Sequence, residues 1–135
     1  MSDSLGFTVQ LNVGFDQALA LTKDALKAEG FGIISEIDMQ TAFKEKLGLD
    51  FRRFVILGAC NPSLAHKALS ADPEVGLLLP CNVTVERVSE ASSLVRIIDP
   101  VRLLGASAMA EVPEFEVIAN DAHGRLTRVA EALRG

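Results

Sequence analysis

The chain has 135 residues, 49% of them hydrophobic, and its 13 basic and 18 acidic side chains leave a formal charge of −5. That length suits one domain, residues 1–135, able to bury roughly two-thirds of its unfolded surface. An acidic chain with no basic stripe has no electrostatic hold on a nucleic-acid backbone, and without Trp or Tyr it has no stacking platform for single strands.

The elements follow in chain order. Phe7, Val9, Leu11 and Val13 alternate with Thr8, Gln10 and Asn12, which predicts a half-buried strand. Phe15, Leu19, Thr22 and Leu26 then recur at helical spacing in a helix from Phe15 to Glu29, with Asp16 in its first turn and Gly30 as its stop. Phe31 to Ile37 is the second strand. Asp38 is suited to cap a short helix from Met39 to Leu47, ended by Gly48. Phe51 to Cys60 is the most hydrophobic strand; it is apolar on both faces, which predicts a central strand covered on both sides.

Asn61 and Pro62 suit the cap and first position of a helix running to about Leu69. Asp72-Pro73-Glu74 opens a further turn or short helix. Asn82 to Val88 and Ser92 to Ile98 flank the polar turn Ser89-Glu90-Ala91 as a hairpin. Val101 to Val112 has no clear period. From Pro113, Phe115, Ile118, Ala122, Leu126, Val129 and Leu133 mark one long amphipathic helix. Gly124 inside it costs up to ~1 kcal/mol relative to Ala, for which a close helix contact is one reason. The hairpin and the alternating first strand predict an α+β fold, a mostly antiparallel sheet with helices packed on one face. A second subunit would cover the apolar far side of the Phe51–Cys60 strand.

The longest apolar runs, Phe54 to Cys60 and Val75 to Leu79, fall far short of the ~20 residues of a membrane span. The polar start Met1-Ser2-Asp3-Ser4 lacks the features of a signal peptide. The expected location is cytoplasmic, with no membrane partner, and there the two Cys remain thiols.

Those thiols carry the main hint of chemistry. Cys60 stands in Leu57-Gly58-Ala59-Cys60-Asn61-Pro62 and Cys81 in Leu79-Pro80-Cys81-Asn82, each at the end of an element. Beside a helix start, free backbone N–H groups would stabilise a Cys60 thiolate; alternatively Cys60 packs as a small hydrophobe. Cys81 either fills a core gap or partners Cys60. The chain leaves through Asn61 and returns at Pro80, so two antiparallel neighbours would bring the thiols together. A disulfide there would be worth roughly 3 kcal/mol on the chain-entropy argument.

Other constellations are weaker. Zinc sites use close Cys pairs, and none is present; His66 is placed on a solvated helix side and His123 at a core edge, so neither a metal nor a cofactor is expected. Glu36 and Asp38 lie two apart at a strand end, as an acid/base pair or, for Asp38, as a cap. Arg52 and Arg53 could bind an anion or serve as surface charge. Gly30-x-Gly32 lacks the third glycine of a dinucleotide loop.

Taken in order, Gly30-Phe31-Gly32, Glu36-Ile37-Asp38, Lys46-Leu47-Gly48-Leu49-Asp50, Leu57-Gly58-Ala59-Cys60-Asn61-Pro62 and Leu77-Leu78-Leu79-Pro80-Cys81-Asn82-Val83 form a distinctive series. From about Phe7 to Leu133 the chain resembles a complete member of the bacterial and archaeal family called domain of unknown function 302. The resemblance implies a TATA-binding-protein-like βαββββα domain with extra short helices, and a homodimer. It implies no activity, substrate or cofactor. The leading functional expectation is small-molecule binding near Cys60, Asn61, Pro80 and Cys81, with Glu36 and Asp38 as further candidates. The alternatives are a thiol redox or sulfur-carrier protein, in which Cys60 attacks and Cys81 resolves, and a structural dimeric adaptor.

Overall fold

The computed structural model describes residues 4–105 and 107–135. Its strands are β1 (Gly6–Leu11), β2 (Gly32–Asp38), β3 (Phe54–Cys60), β4 (Cys81–Ser89) and β5 (Ser92–Ile98). Its helices are α1 (Phe15–Ala28), α2 (Met39–Leu47), α3 (Pro62–Ala71), α4 (Pro100–Gly105) and α5 (Pro113–Arg134), and short 3₁₀ turns span Pro73–Leu78 and Ala108–Glu111. The strands form one sheet in the order β1-β5-β4-β3-β2. Every neighbouring pair is antiparallel. This is the predicted βαββββα arrangement with short helices added.

Strand alternation decides where the core lies. Val9 and Leu11, Val55 and Leu57, Val83 and Val85, and Val95 and Ile97 turn to one face and are buried. Against them pack Phe15, Ala18 and Leu26 of α1 and Leu126, Val129 and Ala130 of α5. A second apolar cluster gathers Ala68, Val75, Leu104, Met109, Phe115 and Ala119. It explains the aperiodic stretch before Pro113: a six-residue helix and a four-residue 3₁₀ turn are too short to show a period.

The caps fall where the side-chain chemistry puts them. Asp38 accepts from the Thr41 amide at 3.1 Å. Asn61 accepts from the Leu64 amide at 3.2 Å, with Pro62 in the first turn. Gly30 and Gly48 take the left-handed conformation that ends a helix without steric penalty.

The most apolar strand, β3, lies inside the sheet between β2 and β4, and β4 is the middle strand. β3 starts at Phe54, because the residues before it turn to other partners. Arg53 lies over the Phe15 ring at 4.2 Å and Arg52 over the Phe51 ring at 4.4 Å. Phe51 in turn meets Phe43 at 5.1 Å and Phe54 at 6.3 Å, which half-covers the far side of β3 from within the chain. The rest of that face carries exposed Thr8, Gln10 and Arg96.

Candidate functional site

A cavity of about 370 Å³ lies where β3 ends and β4 begins, walled by α3, α4 and α5. It sits on the seam between the two apolar clusters: Phe31, Ala59 and Cys81 come from the first, Ala68, Leu104 and Ala119 from the second. Cys60, Asn61, Pro80 and Cys81 all line it. No Asp, Glu, Lys, Arg or His does.

Glu36 and Asp38 stand apart from this cavity. They share one sheet face, each directly across from a β3 residue of that face, Leu57 and Val55, as their spacing predicts. Their carboxylates go to different partners: Glu36 pairs with Lys23 at 2.6 Å, while Asp38 caps α2. They do not form an acid/base pair.

The paired-thiol arrangement is also corrected. β3 and β4 are antiparallel neighbours, but Cys81 stands opposite Ala59, one residue out of step with Cys60. Alternation therefore sets the Cys81 side chain on the core face beside Ala59 and Cys60 out of step with it, although both border the cavity. Both cysteines are free. Burial first, and the charge of Cys60 second, push the Cys81 thiol up from 9.0 to about 11. A thiol so held is a neutral part of the wall at physiological pH.

Asn61 is the most polar side chain on the cavity, and it is only 8% exposed. Its Oδ1 is taken by the Leu64 amide, which fixes the orientation of the side chain. Its Nδ2 has no hydrogen-bond partner among the described residues. That nitrogen lies beside Gly30, where a Cβ would come within 2.9 Å of it.

The family described as Domain of unknown function DUF302 matches residues 7–133. The chain belongs to the DUF302 family. It is also similar to a solved structure, "Crystal structure of uncharacterized conserved protein DUF302 from Bacillus stearothermophilus", at 30% identity and a TM-score of 0.83, covering 96% of this chain and 98% of that one. No curated protein matches.

Several features of this DUF302 domain escape sequence reasoning. Glu86, 8% exposed, is gripped on the sheet face away from α1 and α5 by Arg52 and by Arg96, the latter at 2.6 Å. Burial opposes its charge, but hydrogen bonds from Arg96 and Arg52 outweigh that and hold the carboxyl below its ordinary value. The hairpin register was the available signal, since Thr84 opposite Arg96 sets Glu86 diagonal to that arginine on one face. His123 donates its Nδ1–H to the carboxylate of the buried Asp99 at 2.9 Å and lies 5.5 Å from the Phe7 ring. On that same face a second groove of about 440 Å³ passes Asn82, Thr84 and Arg96. Among the described residues no three His, Cys, Asp or Glu side chains gather to hold a metal ion, and no helix is long and apolar enough to cross a membrane.

Proposed function

We propose that the chain binds a small apolar molecule in the cavity bounded by Cys60, Asn61, Pro80 and Cys81. One observation carries the reading: a cavity of about 370 Å³ with an almost wholly apolar wall, at the junction where those four residues meet. Ligand sites are concave, mostly apolar and of this order of size. Removing apolar ligand surface from water supplies roughly 25 cal/mol per Å².

The thiol reading ranks second. A resolving cysteine attacks as its thiolate, and Cys81 is held protonated up to about 11. Its register also sets it opposite Ala59 and not Cys60. The two free thiols fit a reducing, cytoplasmic setting.

We infer a homodimer as the working assembly, built at the β2 edge. β2 pairs with β3 on one side only, and Ile34 and Ile37 on it are 64% and 48% exposed. Open strand edges pair readily with another strand, and a two-fold axis would join two β2 copies antiparallel. The opposite edge is less free, because Arg134 donates to the Thr8 carbonyl at 3.4 Å.

Titration with N-phenylnaphthylamine, a neutral apolar dye, tests the cavity. Saturable fluorescence enhancement is expected, and Ala119→Phe, which fills the space, abolishes it. A folded native protein that gives no saturable signal overturns the reading.

A further inference from the structure

We propose that the groove of about 440 Å³ on the sheet face away from α1 and α5 is a second binding site, which takes a monocarboxylate with an apolar body, its carboxylate held by Arg96 and Thr84. The groove shares no lining residue with the cavity beside Asn61 and is independent of it.

Register places the polar groups. Arg96 of β5 stands directly opposite Thr8 of β1 on one side and Thr84 of β4 on the other. Two hydroxyls thus flank one guanidinium in a single row across three strands, and all three residues line the groove. Thr84 Oγ1 is buried and, among the described residues, is the side-chain atom left without a hydrogen-bond partner. Buried polar groups are almost always hydrogen-bonded, so this hydroxyl calls for an acceptor. Thr84 is half-buried and borders the groove. One staggered step about its Cα–Cβ bond turns the hydroxyl toward a ligand at Arg96.

Charge selects the ligand. Arg96 is the only charged residue that lines the groove among the described residues. Its Nη1 donates to Glu86 at 2.6 Å, and Arg52 takes the other carboxylate oxygen. Two guanidinium groups against one carboxylate leave one positive charge. Arg96 has further N–H groups to give, and its side chain is 49% exposed. One negative charge on the ligand balances it, whereas a cation is repelled and a dianionic phosphate overshoots. A chain of net charge −5 offers no wider positive field to hold a polyanion. The rest of the wall is mostly apolar, with Phe54 and Ile98 along it. Gly6 keeps its β1 end bare, because a Cβ there would run into the Ile97 carbonyl oxygen. A few convergent polar groups on an apolar wall suit a charged head with a hydrocarbon body.

Three probes of matched shape separate the terms: 4-phenylbutyrate, 4-phenylbutanamide and 4-phenylbutylamine, titrated into the protein at neutral pH and followed by amide-resolved NMR. The carboxylate is expected to saturate and to move the backbone amides of Thr8, Thr84 and Arg96. It should bind about tenfold more tightly than the neutral amide, the increment of a charge-assisted hydrogen bond, and more weakly as salt is added. The amine should not bind. Thr84→Val keeps the shape and removes the hydroxyl. It should weaken the carboxylate about five- to tenfold and raise the melting temperature, because a buried hydroxyl without a partner is gone. The absence of a saturable shift, equal binding of carboxylate and amide, or shifts confined to the cavity beside Asn61 overturns the inference. So does a Thr84→Val protein that binds unchanged or melts lower, since its hydroxyl would then be idle or bonded within the protein. The ranking on the native protein decides the matter even if Thr84→Val does not fold.

Discussion

Gly58 of β3 and Ser35 of β2 approach so closely across the sheet that a Cβ on Gly58 would lie 2.2 Å from the Ser35 hydroxyl. The Pro80 ring closes the same space, 2.8 Å from that Cβ position. The contact sits just after the irregularity between Ile33 and Ser35, where β2 changes register on β3. Gly58 is thus required by close approach and not by its backbone angles, since the positive-φ glycines are Gly30, Gly48 and Gly135. Gly58→Ala is expected to cost about 1–3 kcal/mol through overpacking, seen as a lower urea midpoint. Gly76→Ala is the control, because its Cβ would meet only the Leu69 side chain at 3.6 Å. Equal midpoints for the two variants would sink the argument.

Gly124 gives the opposite sign. It lies inside α5, and no close helix contact explains it: an added Cβ would meet only the Arg128 guanidinium at 3.7 Å. Gly124→Ala should stabilise the protein by about 0.5–1 kcal/mol, by the helix propensity alone. Thermal denaturation reads the gain, and a lower melting temperature refutes it.

The grip of Arg52 and Arg96 on Glu86 sets a pH dependence. Its folded pKa is lowered, so the native state binds this proton less readily than the unfolded chain. The stabilisation is complete above the ordinary glutamate value of about 4.3 and is lost as the pH falls through the folded value. Both arginines are about half exposed, at 51% and 49%, which reduces the effect. Glu86→Gln should cost about 1–2 kcal/mol at pH 7. The gap between native and variant should close in acid. A constant gap from pH 7 to pH 3 would contradict this.

Cys81 works in the other direction. Its folded pKa is raised from 9.0 to about 11, so its contribution is present below 9.0 and disappears as the pH rises through about 11. Alkylation of Cys81 by iodoacetamide, followed by mass spectrometry of its peptide, should have a midpoint near 11. A midpoint near 9 would show that the thiol is open to water.

The parts of this fold legible in the sequence are those written locally. Asp38 with Gly48 bounded α2, and Asn61 with Pro62 started α3, because caps act on their own turn. The four junction residues of the cavity were legible for the same reason, as chain reversals. Its far wall was not: Leu104, Ile118 and Ala119 arrive by tertiary packing from a stretch without period and from a helix beyond it. The thiol pair failed on register. Topology puts the end of β3 beside the start of β4, but only the ladder decides between Cys60 and Ala59 as the partner of Cys81. Glu36 and Asp38 share a face as foreseen, and lose their joint role to Lys23 and to a helix cap.

The position of the cavity on the seam between the two apolar clusters has a consequence for how the molecule breathes. The larger cluster is bound into the sheet, whereas the smaller one gathers the short pieces around Val75, Leu104 and Met109 against the start of α5. Regions of that kind open at lower free energy than the sheet. An occupant touching both walls would act as mortar between them, so that units opening separately in the empty protein would open together in the filled one. Amide hydrogen exchange in α4 would then slow on filling by far more than exchange in β4, and a small guest would be felt as cooperativity.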